Sequence, residues 1–310
     1  MKKSLVALAV LAAASAASAQ SSVTLYGVAD LSMFDNNAPS TSFSMSGNGL
    51  LNNGSSRLGV RGSEDLGGGL KANFNFEQGI NGETGATDAN TFQRAANVSL
   101  SGGFGTVKLG RTLTPSFFGV ATWELTGTAN YSAVANQFGF AGALSRNNSE
   151  LSYTTPSLSG FSGTIGLITK GDNGGTSGKT DLNVIYKNGP IGAALSYNQV
   201  ANSGAKGLAL GANYVLGGGY VIAGSLHDSK LAGGAVNDRG FSIGGGATFG
   251  AISVVLDIAR DTKFKDTDLL LEAKYALSKR SFIYAAYLSD GKGKTATTVN
   301  TYGLGIRHNF

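Results

Sequence analysis

The chain is 310 residues long, with 24 lysines and arginines, 19 acids, 47 glycines, four prolines and no cysteine. Without cysteine there is neither a disulfide framework nor a thiolate metal site, and this much glycine without a Gly-X-Y period excludes a collagen-like rod. Of the formal charge of +5, two units are Lys2 and Lys3 at the extreme N-terminus, so the basic balance is no argument for a nucleic-acid partner.

After Lys2 and Lys3 comes an apolar run over 5–14, then Ala17-Ser18-Ala19 before Gln20. That is the pattern of a secretory signal peptide over 1–19, with an apolar core too short to cross a bilayer. Cleavage after Ala19 leaves one domain over 20–310, 291 residues (310 minus 19). No later apolar stretch approaches the ~20 residues of a helical span. A membrane protein made from this chain must therefore cross with strands, and a closed barrel pairs every backbone group without disulfides.

Alternation is the clearest pattern. In Leu70-Lys71-Ala72-Asn73-Phe74-Asn75-Phe76-Glu77 the even positions are apolar and the odd ones polar, which is a strand with its two faces in different solvents. A one-residue slip would put Lys71 and Glu77 into lipid, at roughly 2–4 kcal/mol for a charge near the midplane. The same reading predicts strands over 23–34, 55–66, 69–79, 91–101, 105–112, 148–156, 160–170, 179–188, 190–200, 205–216, 219–229, 239–249, 251–262, 266–277, 279–290 and 300–310. The even-numbered strands are followed by tight turns such as Gly67-Gly68 and Gly217-Gly218. Connections after odd ones are longer and polar, at 35–54, 80–90, 171–178, 230–238 and 291–299. The expected fold is all-β: a sixteen-stranded antiparallel transmembrane β-barrel with turns on the periplasmic side, wide enough to leave an aqueous channel. The connection 113–145 is by far the longest and has no strand pattern, which marks it as functional.

The residues offer little to catalysis. The two histidines, His227 and His308, sit in no recognisable nucleophile motif and make a poor metal site, so no catalytic residue, metal or cofactor is expected. Glycine clusters such as Gly67-Gly68-Gly69 precede strands, not helices, and are not phosphate loops.

Several stretches resemble the general bacterial porins, within them the Gram-negative porin type of the β-proteobacteria. They are Ser22-Val23-Thr24-Leu25-Tyr26-Gly27-Val28, the run from Ser56-Arg57-Leu58-Gly59 through Lys71-Ala72, the run from Leu100-Ser101-Gly102 through Gly110-Arg111, Tyr275-Ala276-Leu277-Ser278-Lys279-Arg280, and the closing Gly305-Ile306-Arg307-His308-Asn309-Phe310. The resemblance implies an outer-membrane homotrimer of such barrels in contact with lipopolysaccharide. It passes small hydrophilic solutes and anions by passive diffusion, with the third loop, 113–145, folded inward as a constriction. It also implies wall arginines facing that loop, carried here by Arg57, Arg94 and Arg146, whereas a lysine common on the first strand would fall at Val28. Phe310 matches the C-terminal residue that outer-membrane assembly machinery recognises.

Parity supports part of this. Arg57 and Arg61 lie opposite the apolar Leu58 and Val60, and Arg146 shares parity with Asn148, Glu150 and Ser152. Arg94 shares parity with Val98 and Leu100, so it reaches the lumen only through a bulge. Glu124 is the single acid between Leu113 and Ser145, so the constriction is expected to be net positive and anion-preferring. The rival readings are a substrate-specific outer-membrane channel and, more remotely, a barrel enzyme or adhesin. A specific channel would show an aromatic slide or a crowded lumen, whereas the inward residues are mostly Gly, Ala, Ser, Asn and Thr.

Overall fold

The computed structural model describes residues 21–37, 42–175, 177–230, 237–294 and 296–310. The signal peptide expected over 1–19 lies outside them. Sixteen strands form the wall: β1 (Ser22–Asn36), β2 (Arg57–Gly67), β3 (Leu70–Gly79), β4 (Ala95–Gly102), β5 (Gly105–Leu113), β6 (Arg146–Thr154), β7 (Phe161–Ile168) and β8 (Lys179–Asn188). They continue as β9 (Ile191–Val200), β10 (Lys206–Gly217), β11 (Tyr220–Lys230), β12 (Asn237–Phe249), β13 (Ile252–Asp261), β14 (Asp266–Ala276), β15 (Ser281–Asp290) and β16 (Val299–Asn309). Each pairs antiparallel with its neighbours in sequence. A three-residue strand, Ser44–Ser46, adds to β1 through Met33↔Met45.

Closure rests on β1, which serves two partners. Its first half pairs with β2, for example Leu25↔Val60, and its second half with β16, for example Met33↔Leu304. The ring is sealed where Phe310 N–H donates to Gly27 O and Gly27 N–H donates to Phe310 O, both at 3.0 Å. Sealing leaves no wall strand with an open edge.

Side chains sort as the alternation requires. Leu25, Val98, Leu109, Leu210, Ile243, Leu271 and Leu304 are exposed on the outer face, while Asp181, Asn183, Ser196, Asn198, Asp257 and Glu272 are buried on the inner one. That is the inverse of a soluble protein and suits a wall between lipid and water. Of the outer connections, 201–205 and 262–265 are short, so the long ones gather around the remainder of that rim.

Most strand starts fall within two residues of expectation, and two of the differences bear on the site. β4 begins at Ala95, four residues late, because 90–93 form a local turn: Gln93 N–H donates to Asn90 O at 3.1 Å and Asn90 N–H to Gln93 Oε1 at 3.3 Å. β6 begins at Arg146, two residues early, and its register against β5 slips between Gly110 and Thr112, with Ser149 at φ 47°. Asn147, not Asn148, therefore shares the inner face with Glu150, to which it donates at 2.7 Å. A bulge shifts the parity of every residue before it.

The connection 114–145 contains two helices the alternation could not reveal, α1 (Pro115–Trp123) and α2 (Ala133–Phe138). Thr114 caps α1 by accepting from Phe117 N–H at 2.9 Å, with Pro115 in the first turn, and Ser132 caps α2 by accepting from Ala135 N–H at 3.2 Å. Hydroxyl caps and an N-terminal proline start short helices at little cost.

Candidate pore site

The segment 114–145 is held against the polar face of the wall by specific bonds. Ser116 donates its N–H and its hydroxyl to Asp181 Oδ1 at 2.8 and 2.6 Å. Asn183 donates to Pro115 O at 2.7 Å, Asn198 to Ala141 O at 2.9 Å, and Asn213 to Thr122 O at 3.2 Å. Glycines on β10 permit the approach: a Cβ at Gly207 would overlap the Ala141 carbonyl, and one at Gly211 the indole of Trp123. Further on, Tyr131 donates to Glu272 at 2.6 Å, and Phe138 stacks on His227 with centroids 4.3 Å apart. Burial, then the adjacent Glu272 carboxylate, push the Tyr131 phenol well above its usual range, so it stays a donor.

Facing this segment, Arg57, Arg94, Arg146 and Arg307 line one cavity of about 420 Å³ together with Glu77, Asn53, Thr128 and Asn130. Glu77 pairs with Arg94 at 2.8 Å and Arg57 at 3.5 Å, and accepts the Tyr26 hydroxyl at 2.9 Å. Arg146 donates to Arg94 O at 2.8 Å, and Arg307 to Asn53 Oδ1 at 2.9 Å. Neither has an ion-pair partner among the described residues. Among the side chains that line that cavity, four guanidinium groups less one carboxylate leave an excess of three positive charges.

Two more cavities adjoin it. One of about 410 Å³, toward the short-turn rim, includes Arg61, Asn73, Asn97 and Lys108. The other, of about 630 Å³ toward the opposite rim, includes Asn48, Asp172 and Lys179. All three share Arg94 and Arg146.

The sequence-derived site residues fall into place unevenly. Arg57 stands where its parity put it. Arg61 faces the same interior but one cavity away, its guanidinium 4.9 Å from the Tyr26 ring centroid. Arg94 reaches Glu77 without the anticipated bulge, since it precedes β4 and escapes strand parity altogether. Arg146 also lines the cavity, but from the first position of β6 and not from the face of Glu150. Glu124 requires correction: it is 6% exposed and lines none of the three cavities. Its oxygens accept from Thr126 N–H, Thr128 N–H and the hydroxyls of Thr126 and Ser132 at 2.6–3.0 Å, which knots the segment internally. The acid beside the arginines is Glu77. It and Arg307 were not anticipated as site residues, although both have the inward parity of their strands. Phe310 covers Gly27 at the seam, where a Cβ would collide with its ring.

The chain is similar to known proteins over most of its length. Residues 5–310 match the profile of the Gram-negative porin family. The chain is 37% identical to outer membrane porin protein 32 of Delftia acidovorans, over 99% of this chain and 94% of that one. It is 32% identical to an outer membrane porin protein of Bordetella pertussis over the full length of both. Among solved structures, an anion-selective porin from Comamonas acidovorans superposes with a TM-score of 0.78 at 26% identity, covering 94% of this chain and all of that one. OmpT of Vibrio cholerae, at 14% identity and a TM-score of 0.68 over 94% of this chain and 98% of its own, shares the fold. The chain belongs to the Gram-negative porin family, and its barrel is that of an outer-membrane porin.

Proposed function

We propose that this porin is a passive diffusion channel for ions and small hydrophilic solutes, with a preference for anions set at Arg57, Arg94, Arg146 and Arg307. The observation that carries this reading is that three successive cavities share Arg94 and Arg146, while one carboxylate, Glu77, stands among the four arginines. Solutes moving between the two outer cavities pass these groups, and 114–145 acts as the constriction by narrowing the opposite side. At an effective dielectric near 80, one unit charge ~8 Å from an ion is worth roughly 0.5 kcal/mol before screening. Three such charges favour anions about tenfold at low salt, in keeping with the anion selectivity of the Comamonas porin. As the Debye length shrinks to ~3 Å at 1 M salt, the preference fades.

In this reading 1–19 is a cleaved signal and 20–310 the mature barrel. The barrel works as a homotrimer among outer-membrane lipids and lipopolysaccharide, after insertion by assembly machinery that reads Phe310. It is a channel and not an enzyme: His227 lies buried between Trp123 and Phe138, and His308 at the rim meets the Ser281 hydroxyl and stacks on Phe310. Reversal potentials in planar bilayers under a tenfold salt gradient test the proposal. Anion preference at 0.1 M that declines toward 1 M is expected. Cation preference or the absence of conductance steps overturns it.

A further inference from the structure

We propose that the rim bearing the long connections holds a calcium site made by Asp266, Asp268 and Asp290. Asp266 and Asp268 occupy alternate inward positions at the start of β14, and the pairing Leu269↔Ser289 sets Asp290 of β15 beside Asp268. One carboxylate oxygen from each lies within 4.8 Å of the others. Two oxygens bound to one calcium ion at ~2.4 Å are at most ~4.8 Å apart, so the three converge on a volume of the right size. An all-oxygen donor set suits a hard divalent cation, and flexible carboxylates on three chain positions suit calcium better than the stricter magnesium.

The nearest cation, Lys294, acts on Asp268 and Asp290 only at longer range and makes its close ion pairs elsewhere. Lys294 Nζ lies 3.1 Å from Asp238 and 3.6 Å from Asp261, and it also donates to Gln137 O at the end of α2. The cluster receives the backbone donors Lys294 N–H to Asp266 Oδ2 at 2.9 Å and Gly291 N–H to Asp268 Oδ1 at 3.1 Å, and Asp268 and Asp290 lie within hydrogen-bonding reach of each other. A second observation points to a ligand. Asp266 is 1% exposed, and its Oδ1 has no hydrogen-bond partner among the described residues. That oxygen is aimed at Gly291, whose N–H serves Asp268, and a Cβ at Gly291 would collide with it. Three carboxylates this close cannot all stay ionised out of water unless a cation or a proton sits between them. Calcium supplies that charge without removing any acceptor, ties 291–294 to the wall, and cancels negative potential at the mouth that would otherwise oppose anion entry.

Calorimetric titration of calcium chloride into the full-length mature barrel, refolded in detergent and chelator-treated, tests the site at pH 7.5. We expect one ion per protomer with a dissociation constant of about 10⁻⁴–10⁻³ M, the range of extracellular modules. Binding should weaken at least tenfold in Asp266→Asn and Asp290→Asn and be unchanged in Glu83→Gln, an exposed acid on another connection. If Asp266→Asn fails to fold, Asp290→Asn, at the less buried member, decides. No binding to the unmodified barrel by 10 mM calcium (an experimental ceiling about tenfold above that range), or equal binding by Asp290→Asn, overturns the proposal in favour of a shared proton.

Discussion

The two sides of the interior treat charge in opposite ways. On the side of β2, β3 and β16, Arg57 and Arg307 line the cavity, and Glu77 is the one acid among the lining residues described. On the sides of β8 and β14, the acids Asp181 and Glu272 are buried beneath 114–145, and Ser116 and Tyr131 donate to them. Two of the inner wall's acids are thus spent on holding the covering segment. Selectivity in such a channel follows from which charges stay uncovered, not from the sum of charges on the inward parity.

The largest test of that contrast reverses the uncovered side. Arg57→Glu with Arg146→Glu takes the cavity from an excess of three positive charges to one negative (3 minus 4). The reversal potential at 0.1 M salt should change sign. An unchanged sign would mean that the ion path runs elsewhere. On the covered side, Gly211→Leu should push Trp123 and α1 off the wall. Overpacking costs ~1–3 kcal/mol, seen as a lower unfolding temperature, and the single-channel conductance should rise. Unchanged conductance would show that 114–145 does not limit flow.

Smaller effects separate the two acids. Glu77→Gln removes the carboxylate beside the arginines and should raise anion preference about twofold, the equivalent of roughly 0.5 kcal/mol. Glu124→Gln removes a charge locked within the segment and should leave selectivity nearly unchanged while lowering stability, because a buried acceptor network loses its charge-assisted bonds. Equal shifts for both would place Glu124 in the path after all. The smallest effect is expected of Lys292→Glu, exposed on an outer connection, where a change beyond about 20% in permeability ratio would exceed what a charge more than one Debye length from the path can exert.

The wall was legible in the sequence because lipid and water impose a strict period of two on every strand, and Leu70 through Glu77 displays it without interruption. The site was legible only where that period holds. Arg57 obeyed it. Arg94 escaped it because the turn at 90–93 delays β4, and Arg146 because Ser149 breaks the register. The destination of Glu124 could not be read at all. An acid in a loop carries no parity, and its partners Thr126, Thr128 and Ser132 become visible as partners only once the chain has turned back on itself. The start of α1 is written in Thr114-Pro115, a cap followed by an N-terminal proline, a signal that strand alternation does not carry.

The seam between Gly27 and Phe310 has a consequence for biogenesis. The two backbone bonds that complete the ring join the first strand to the last residue of the chain. The ring cannot close until β16 has met β1. Contacts between the two ends of a chain are also the slowest to find each other. A nascent polypeptide of this design therefore leaves its site of synthesis as an open coil with apolar residues at alternate positions. Until β16 has met β1, its unpaired strands remain prone to aggregation.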